Sequence, residues 1–532
     1  MTTVAHYLIQ LLEHYGVDYT FGIPGVHNAE LFRHLSASRI QHVTPRHEQG
    51  AGFAADGYAR VSGQPGVCLL ITGPGLSNAA TAMLQAKADS IPMLVISTVN
   101  EPGCKSRGHL HEMPNQAAFA GAISSHSTLV TSALELRDAV DHAFESFASQ
   151  RPGPVHIDLP TSFITQACDA PPLTAIKPQQ RLEIRADLLQ RACAALNTSL
   201  SPVIIAGGGS VRASVEVLEL AEKLGSPIVA TINARGFFPS EHPLLVPASP
   251  SLQSIREFLE HSDCVLAVGT ELGPTDFDMD NLGLMPTIEQ LIRIDIDADQ
   301  VSRNMDAQIK IVAPAEAVLE QMLPSIDCKD AKHTAGQKRA EAARKESYAE
   351  LPANYQSHIR LLERIKQEVA NAIFVGDSTQ LVYAGNMYFA SSKDGGWFNS
   401  ATGFGTLGYG LPAALGAKIA APEKPVIALI GDGGMQFSLS ELGTLMDMPG
   451  PVIVLVWNNN GYGEIKSFMQ DREIEPLGVD VLAPDFVAIA KAYDMEAVNL
   501  TSEDQLVETI AAAAKNSEHL LIDMKVSDTA QI

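Results

Sequence analysis

Short apolar runs alternate with helix-length segments from one end of this chain to the other, and no other feature limits its fold as strongly. VCLLIT (67–72), PMLVIS (92–97), VHIDL (155–159), PVIIAGG (202–208), CVLAVG (264–269), VIALIGD (426–432) and PVIVLVWN (451–458) are β-rich and apolar on both faces. Strands of that kind must be covered on both sides, which calls for parallel sheets wrapped by helices. At 532 residues the chain exceeds a single core, and length suggests about three domains. Two seams interrupt the alternation: the Pro- and Gln-rich QACDAPPLTAIKPQQRL (166–182), and the charged stretch 325–356, which lacks strong strands. Both read as inter-domain connections. The expectation is an α/β chain of three doubly wound parallel-sheet domains at 1–165, 183–325 and 357–532.

A formal charge of −24 argues against nucleic acid or an anionic membrane as partner, since phosphate binding needs clustered Lys and Arg. No apolar stretch approaches the ~20 residues that span a bilayer. The amphipathic start, MTTVAHYLIQLLEHYGVD, lacks the basic opening and unbroken apolar run of a signal peptide, so a cytoplasmic location is expected. Cys68, Cys104, Cys168, Cys193, Cys264 and Cys328 are scattered without a CxxC pair, which points away from a disulfide framework or zinc cluster.

The sharpest chemical signal is Gly431-Asp432-Gly433, then 24 residues, then Asn458-Asn459. One apolar strand runs into the GDG turn and another into the Asn pair, so both arrive at a sheet's carboxyl edge, where open α/β sheets bind ligands. Carboxylate and amide oxygens are hard donors suited to Mg²⁺, which shares its coordination with phosphate and water. Glycines let backbone approach the anion, and a helix expected to start near Ser438 would point its positive end there. GDG alone would be an ordinary tight turn; the strand context and the Asn pair raise it above that.

This constellation resembles the thiamine-diphosphate (ThDP) signature of the pyruvate decarboxylase and acetolactate synthase superfamily, and the resemblance spans essentially the whole chain. It implies Asp432 and Asn459 as side-chain ligands of Mg²⁺, with the Gly461 carbonyl a third. Gly433, Gly434 and Tyr462 would line the diphosphate. Ser378 and Thr379 would form the opposite wall, unless they are an ordinary turn.

Arg46-His47-Glu48-Gln49-Gly50-Ala51, followed by a helical run, resembles the family's activating-glutamate segment. Gly22-Ile23-Pro24-Gly25 and Thr72-Gly73-Pro74-Gly75-Leu76-Ser77-Asn78 stand where the family places its cofactor loops, which assigns Pro24, Gly25, Thr72 and Asn78 to cofactor binding. Glu48 would hydrogen-bond N1′ of the aminopyrimidine and promote proton removal from C2 of the thiazolium, the carbanion chemistry being the cofactor's own. Gly403-Phe404-Gly405-Thr406-Leu407-Gly408 matches the segment that bends the cofactor. Leu407 would be the wedge under its rings, the Gly405 carbonyl would accept from the 4′-amino group, and the Leu407 N–H would donate to N3′. Taken alone the stretch is a GxGxxG nucleotide fingerprint, which needs a strand directly before it and a ribose-binding acid about 20 residues on. The resemblance also implies a homodimer or homotetramer with the active site at a subunit interface.

Within the superfamily the chain departs from several branches. It has no adjacent His-His pair, and Ile465 and Ile71 stand where simple decarboxylases and benzoylformate-type enzymes carry Glu and His. ITGPGLSNAATAMLQAKADSIPMLVIS is acetolactate-synthase-like, but His109-Leu110-His111-Glu112 and Asn460–Ile465 are not, and LLVPASPSLQSIREFLEHSD (244–263) replaces the loop that holds FAD, so FAD is not expected. RGHLHE, GTELGPTDFDMD (269–280) and NGYGEIK together most resemble 5-guanidino-2-oxopentanoate decarboxylases.

Glu464, five positions after Asn459, could pair bidentately with a substrate guanidinium, helped by Glu112, Asp276 or Asp278. Equally, it could be solvated or pair with Lys466. His111 and His109 are candidates for proton handling after CO₂ loss, with a plain surface loop as the alternative. The function expected is ThDP- and Mg²⁺-dependent non-oxidative decarboxylation of a 2-oxo acid, 5-guanidino-2-oxopentanoate giving 4-guanidinobutanal. The rival is carboligation of pyruvate to 2-acetolactate.

Overall fold

The structure is a computed structural model that describes residues 2–101, 103, 106–175, 184–277, 283–328, 330–391 and 395–526. Cys104, Asp278 and the second half of the 166–182 seam lie outside the described residues. A short antiparallel pair joins β1 (Thr2–Thr3) to β8 (Ala167–Cys168). Between them β2 (Tyr19–Gly22), β3 (Gln41–Val43), β4 (Gly66–Leu70), β5 (Met93–Val99), β6 (His126–Leu129) and β7 (Pro154–Pro160) form a parallel sheet in the order β3-β2-β4-β5-β7-β6. Every residue of β4 and β7 is buried, as double-sided apolar runs require.

A second parallel sheet comprises β9 (Pro202–Ala206), β10 (Ile228–Ala230), β11 (Leu245–Val246), β12 (Cys264–Val268), β13 (Leu291–Asp295) and β14 (Ile309–Val312), ordered β11-β10-β9-β12-β13-β14. The third holds β15 (Ile373–Gly376), β16 (Trp397–Asn399), β17 (Val426–Gly431), β18 (Val452–Asn458), β19 (Glu496–Leu500) and β20 (Leu520–Lys525), ordered β16-β15-β17-β18-β20-β19. Numbered within each sheet, the first and third share the order 2-1-3-4-6-5, whereas the second runs 3-2-1-4-5-6.

By compactness the chain divides into two units. One is Met1–Gln179 with Gly403–Asn499 and Ala513–Asp523; the other is Gln180–Thr402 with Leu500–Ala512 and Met524–Ile532. Within the first unit the helix Glu48–Ser62 lies along the helix Gly410–Ala420. The approach is close enough that a Cβ on Gly57 would stand 2.1 Å from the Ala413 carbonyl oxygen, and one on Gly416 1.9 Å from that of Ala54. Glycine is the only residue that permits backbones this near.

Within the second unit the stretch expected to be a connection is a helix, Asp330–Glu350. Its Ala, Glu, Lys and Arg content favours helix, and its buried Ala340, Ala343 and Ser347 dock it, while Arg344 donates to the Pro243 and Leu245 carbonyls. Among the described residues no helix is long and apolar enough to cross a membrane, and the five described cysteines are free thiols.

Candidate active site

In the first unit, β17 pairs with β18 in parallel, with Gly431 opposite Trp457, so Asp432 and the Asn pair leave the sheet at one edge. Asp432 is 2% exposed. Its carboxylate accepts the Gly461 N–H at 2.9 Å. Burial pushes this carboxyl above its usual range, against the pull of amides from Gly461, Asn459, Gly433 and Asp432 itself. Asn458 turns inward, donating to Asp523 at 2.9 Å and accepting the Asn460 N–H at 3.0 Å, which leaves Asn459 half-buried at the rim. The chain then reverses through Asn460 at φ +61° and Gly461 at φ +154°, bringing the Tyr462 ring against Gly433, where a Cβ would come within 2.5 Å of it.

A buried carboxylate, a neighbouring side-chain amide and a glycine-walled turn fit a hard divalent cation with a diphosphate. The structure brings Gly461 to Asp432 through its N–H. The helix expected near Ser438 is different: a four-residue turn, Asp432–Met435, starts at the carboxylate, and the next helix is Glu441–Met446. The Ser438 carbonyl instead accepts the Glu441 N–H at 2.9 Å, so Ser438 stands three places before that helix, and the amides that serve the turn are those next to Asp432.

Glu48 opens the helix Glu48–Ser62, capped by His47, whose ring accepts the Gln49 N–H. At 9% exposure its carboxylate is buried, and it accepts Asn78 Nδ2 at 2.9 Å. The strand order of the first sheet reverses between β2 and β4, which sets the Pro24-Gly25 and Thr72-Gly73 turns beside each other at its carboxyl edge. Gly25 is held by Asn28, whose Oδ1 accepts its N–H at 2.7 Å, and Ile71 packs where a Gly25 side chain would go. Thr72 is locked to Thr98 through a hydroxyl pair at 2.9 Å, and Gln116 takes the Gly73 N–H at 3.1 Å. Gln116 also donates to Ser97 and Asp158 in the buried sheet. Glu48, Asn78, Pro24, Gly25 and Thr72 thus belong to one set of turns.

His111 belongs to the same edge. Its carbonyl presses on Gly73, and its own backbone sits at φ +61°, a strained conformation for a residue with a side chain. Its ring meets that of His27 edge-to-face at 5.2 Å, and Nδ1 of each is buried without a hydrogen-bond partner among the described residues. Burial, reinforced by the facing His111, holds the His27 imidazole below its ordinary pKa. The sequence shows no adjacent His-His pair; folding makes one from residues 84 positions apart. The only local hint was that His27 stands two places after the Pro24-Gly25 turn.

Glu112 is engaged otherwise: its carboxylate accepts the N–H groups of Ser106, Gly108 and His109, tying off the HLHE loop. In the second unit burial pushes the Arg235 guanidinium down to about 10, and Asp276 lies close enough to oppose that shift. Lys466 pairs with Asp480 at 2.8 Å and not with Glu464. Glu464 starts the helix Gly463–Asp471, half-buried, and among the described residues nothing engages its carboxylate.

The Gly-rich stretch has Gly403, Gly405 and Gly408 at φ +51°, +70° and +82°. Space opens around Gly405, Leu407 is half-buried, and the Thr406 N–H reaches Gln85 at 3.4 Å. β16 ends at Asn399, so Ser400–Thr402 are not strand. Behind this loop Arg60 bridges buried Asp56 and Asp89 at 2.7 and 2.6 Å, and Tyr409 donates to Asp56. In the second unit Ser378 and Thr379 follow β15. The Ser378 N–H folds back on Asp377 at 2.8 Å, and Thr379 precedes the helix Gln380–Tyr388.

Three family models match the chain. The thiamine pyrophosphate enzyme N-terminal TPP-binding domain matches residues 2–119, the central domain 189–322 and the C-terminal TPP-binding domain 377–524. A probable 2-ketoarginine decarboxylase of Pseudomonas aeruginosa is 39% identical over 98% of this chain and 94% of its own length. A probable acetolactate synthase large subunit of Methanocaldococcus jannaschii is 30% identical, covering 98% and 91%. In structure the chain resembles the thiamine-diphosphate-dependent 4-hydroxybenzoylformate decarboxylase of Rhodococcus jostii, with a TM-score of 0.83, 22% identity and 99% of both chains covered.

Proposed function

This chain belongs to the thiamine pyrophosphate enzyme family, and we propose that within it the protein decarboxylates 5-guanidino-2-oxopentanoate, the 2-oxo acid of arginine, to 4-guanidinobutanal and CO₂. The observation that carries the substrate assignment is Glu464, a half-buried carboxylate in the helix that follows the Asn459 turn, which nothing engages among the described residues. A guanidinium matches a carboxylate bidentately, and such a pair discriminates against uncharged side chains. The relative of Pseudomonas aeruginosa, named for 2-ketoarginine, points the same way.

Bound at this site, thiamine diphosphate supplies the carbanion chemistry that cleaves the C1–C2 bond of a 2-oxo acid. The chain does the rest. Asp432, Asn459 and Gly461 would hold Mg²⁺, Gly433, Gly434 and Tyr462 would line the diphosphate, and Leu407 and Gly405 would support the cofactor's rings. Asn78 donates to the buried Glu48 acid, which would meet the pyrimidine. His111 with His27 delivers the proton that replaces CO₂. Glu112 and Asp276 are left out of substrate recognition, since each already serves a group of its own. The enzyme works without FAD, as a cytoplasmic homodimer or homotetramer in which Glu48 serves the partner's cofactor.

A panel of 2-oxo acids assayed with ThDP and Mg²⁺ tests the reading. Glu464→Gln should raise KM for the guanidino substrate by about tenfold or more, the equivalent of losing a charged hydrogen bond of ~1.5–3 kcal/mol, while uncharged 2-oxo acids keep their kcat/KM. An unchanged preference for the cationic substrate would sink the assignment. Formation of 2-acetolactate from pyruvate as the main activity would establish the carboligase instead.

A further inference from the structure

We propose that Glu441 is a positioning residue for Glu48, fixing through its carboxylate the backbone from which the acid's helix departs. This rests on the reading of Glu48 as the activating acid. Glu441 lies in the helix Glu441–Met446, nine positions beyond Asp432, and is 1% exposed. Its oxygens accept the backbone N–H of Arg46 at 3.1 Å, the N–H of His47 at 3.0 Å and the Thr444 hydroxyl at 2.6 Å. Those two amides immediately precede Glu48 and lie outside the helix, whose own first turn is capped by His47. Arg46 extends the clamp, donating to the Gly443 carbonyl at 3.1 Å and pairing with Asp447 at 2.8 Å.

From the other side Gly50 leaves room for the carboxylate: a Cβ there would come within 2.3 Å of Glu441 Oε1. Burying an acid is unfavourable unless donors converge on it, and here two of the three donors are the hinge of the activating segment. Burial pushes the Glu441 carboxyl above its usual range, against the pull of Thr444 and of the Arg46 and His47 amides. A glutamine retains that geometry, since its oxygen can take both amides while its NH₂ donates to the Thr444 hydroxyl.

Three variants test the proposal: Glu441→Ala removes the acceptor, Glu441→Gln keeps it, and Gly50→Ala displaces it with all charges intact. One readout is deuterium exchange of the 44–50 amides in the cofactor-free protein. The other is the rate of C2–H exchange of bound ThDP, followed by proton NMR after acid quench. Glu441→Ala and Gly50→Ala should lose amide protection and slow C2 exchange about tenfold or more with KM little changed, the scale of a small misplacement of a catalytic group. Glu441→Gln should stay within about threefold of wild type. Wild-type C2 exchange in Glu441→Ala or Gly50→Ala, or a Gln variant as impaired as the Ala variant, overturns the proposal. Glu48→Gln separates the two levels: fast C2 exchange there removes the reading of Glu48 itself, whereas its loss alongside unaffected Glu441→Ala removes only the positioning role. Should Glu441→Ala fail to fold, the Gln and Gly50→Ala pair still decides.

Discussion

At Asp432 function and stability pull in opposite directions. Burial raises its carboxyl, so the native state holds that proton more tightly than the unfolded chain. As pH rises through the carboxyl range the unfolded state releases its proton first, and native stability is lost with it. Asp432→Asn removes that penalty. The cofactor-free variant should melt higher than wild type by about 1–3 °C at neutral pH, while the Tm increase that Mg²⁺ and ThDP confer on wild type disappears. Differential scanning fluorimetry with and without both ligands checks this, and an undiminished ligand-induced shift would remove Asp432 from the metal site. The His27–His111 pair makes a second residue-level prediction. If the two rings act as a unit, His27→Gln and His111→Gln should each lower kcat/KM by about as much as the double variant does. Additive losses would mean that the rings work separately. His111, Glu48 and Glu464 were candidates because they stand in segments that resemble the family's; His27 and Glu441 were not, because each is singled out by a contact made in folding.

Among the elements, the crossing of helices Glu48–Ser62 and Gly410–Ala420 bears most directly on the site, since one begins with Glu48 and the other follows Leu407. Gly416→Ala would drive a methyl into the Ala54 carbonyl and force the helices apart. A loss of about 1–3 kcal/mol is expected from such overpacking, read as a lower midpoint in urea. Arg60 ties the same helix to Asp56 and Asp89, both buried. Arg60→Met leaves two carboxylates uncompensated and should destabilise by about 3–5 kcal/mol, far beyond any exposed ion pair in this chain. The helical pattern at 48–62 was plain from the sequence, but the partner it packs against lies some 360 positions away and could not be read from local pattern. Conversely, the helix within the polar 325–356 stretch did not show in the sequence because the face it buries includes Ala340 and Ala343, too small to register as a hydrophobic stripe.

Seen as a whole, the chain uses one strand order twice, in its first and third sheets, without a sequence repeat to announce it. The first unit also leaves large apolar side chains in water: Leu110, Phe404, Phe437 and Ile465 are 62%, 47%, 57% and 54% exposed. All four stand in or next to the loops that carry the site, so a second copy is the proposed cover, and sedimentation velocity should find a dimer or tetramer at micromolar concentration. Phe437→Asp should shift the protein toward monomer and lose activity in parallel; a fully active monomer would defeat the shared-site assembly. The sequence alone determined the α/β class through strand periodicity, and the resemblance of its motifs pointed to the family and to the turns that carry Asp432, Asn459 and Glu48, because periodicity and motifs are local properties of a chain. Tertiary structure decided which histidine faces His111, which acid holds the approach to Glu48, and that among the described residues Glu112 is engaged while Glu464 is not. Those outcomes depend on which distant side chains compete for the same donors, and no local pattern records that competition.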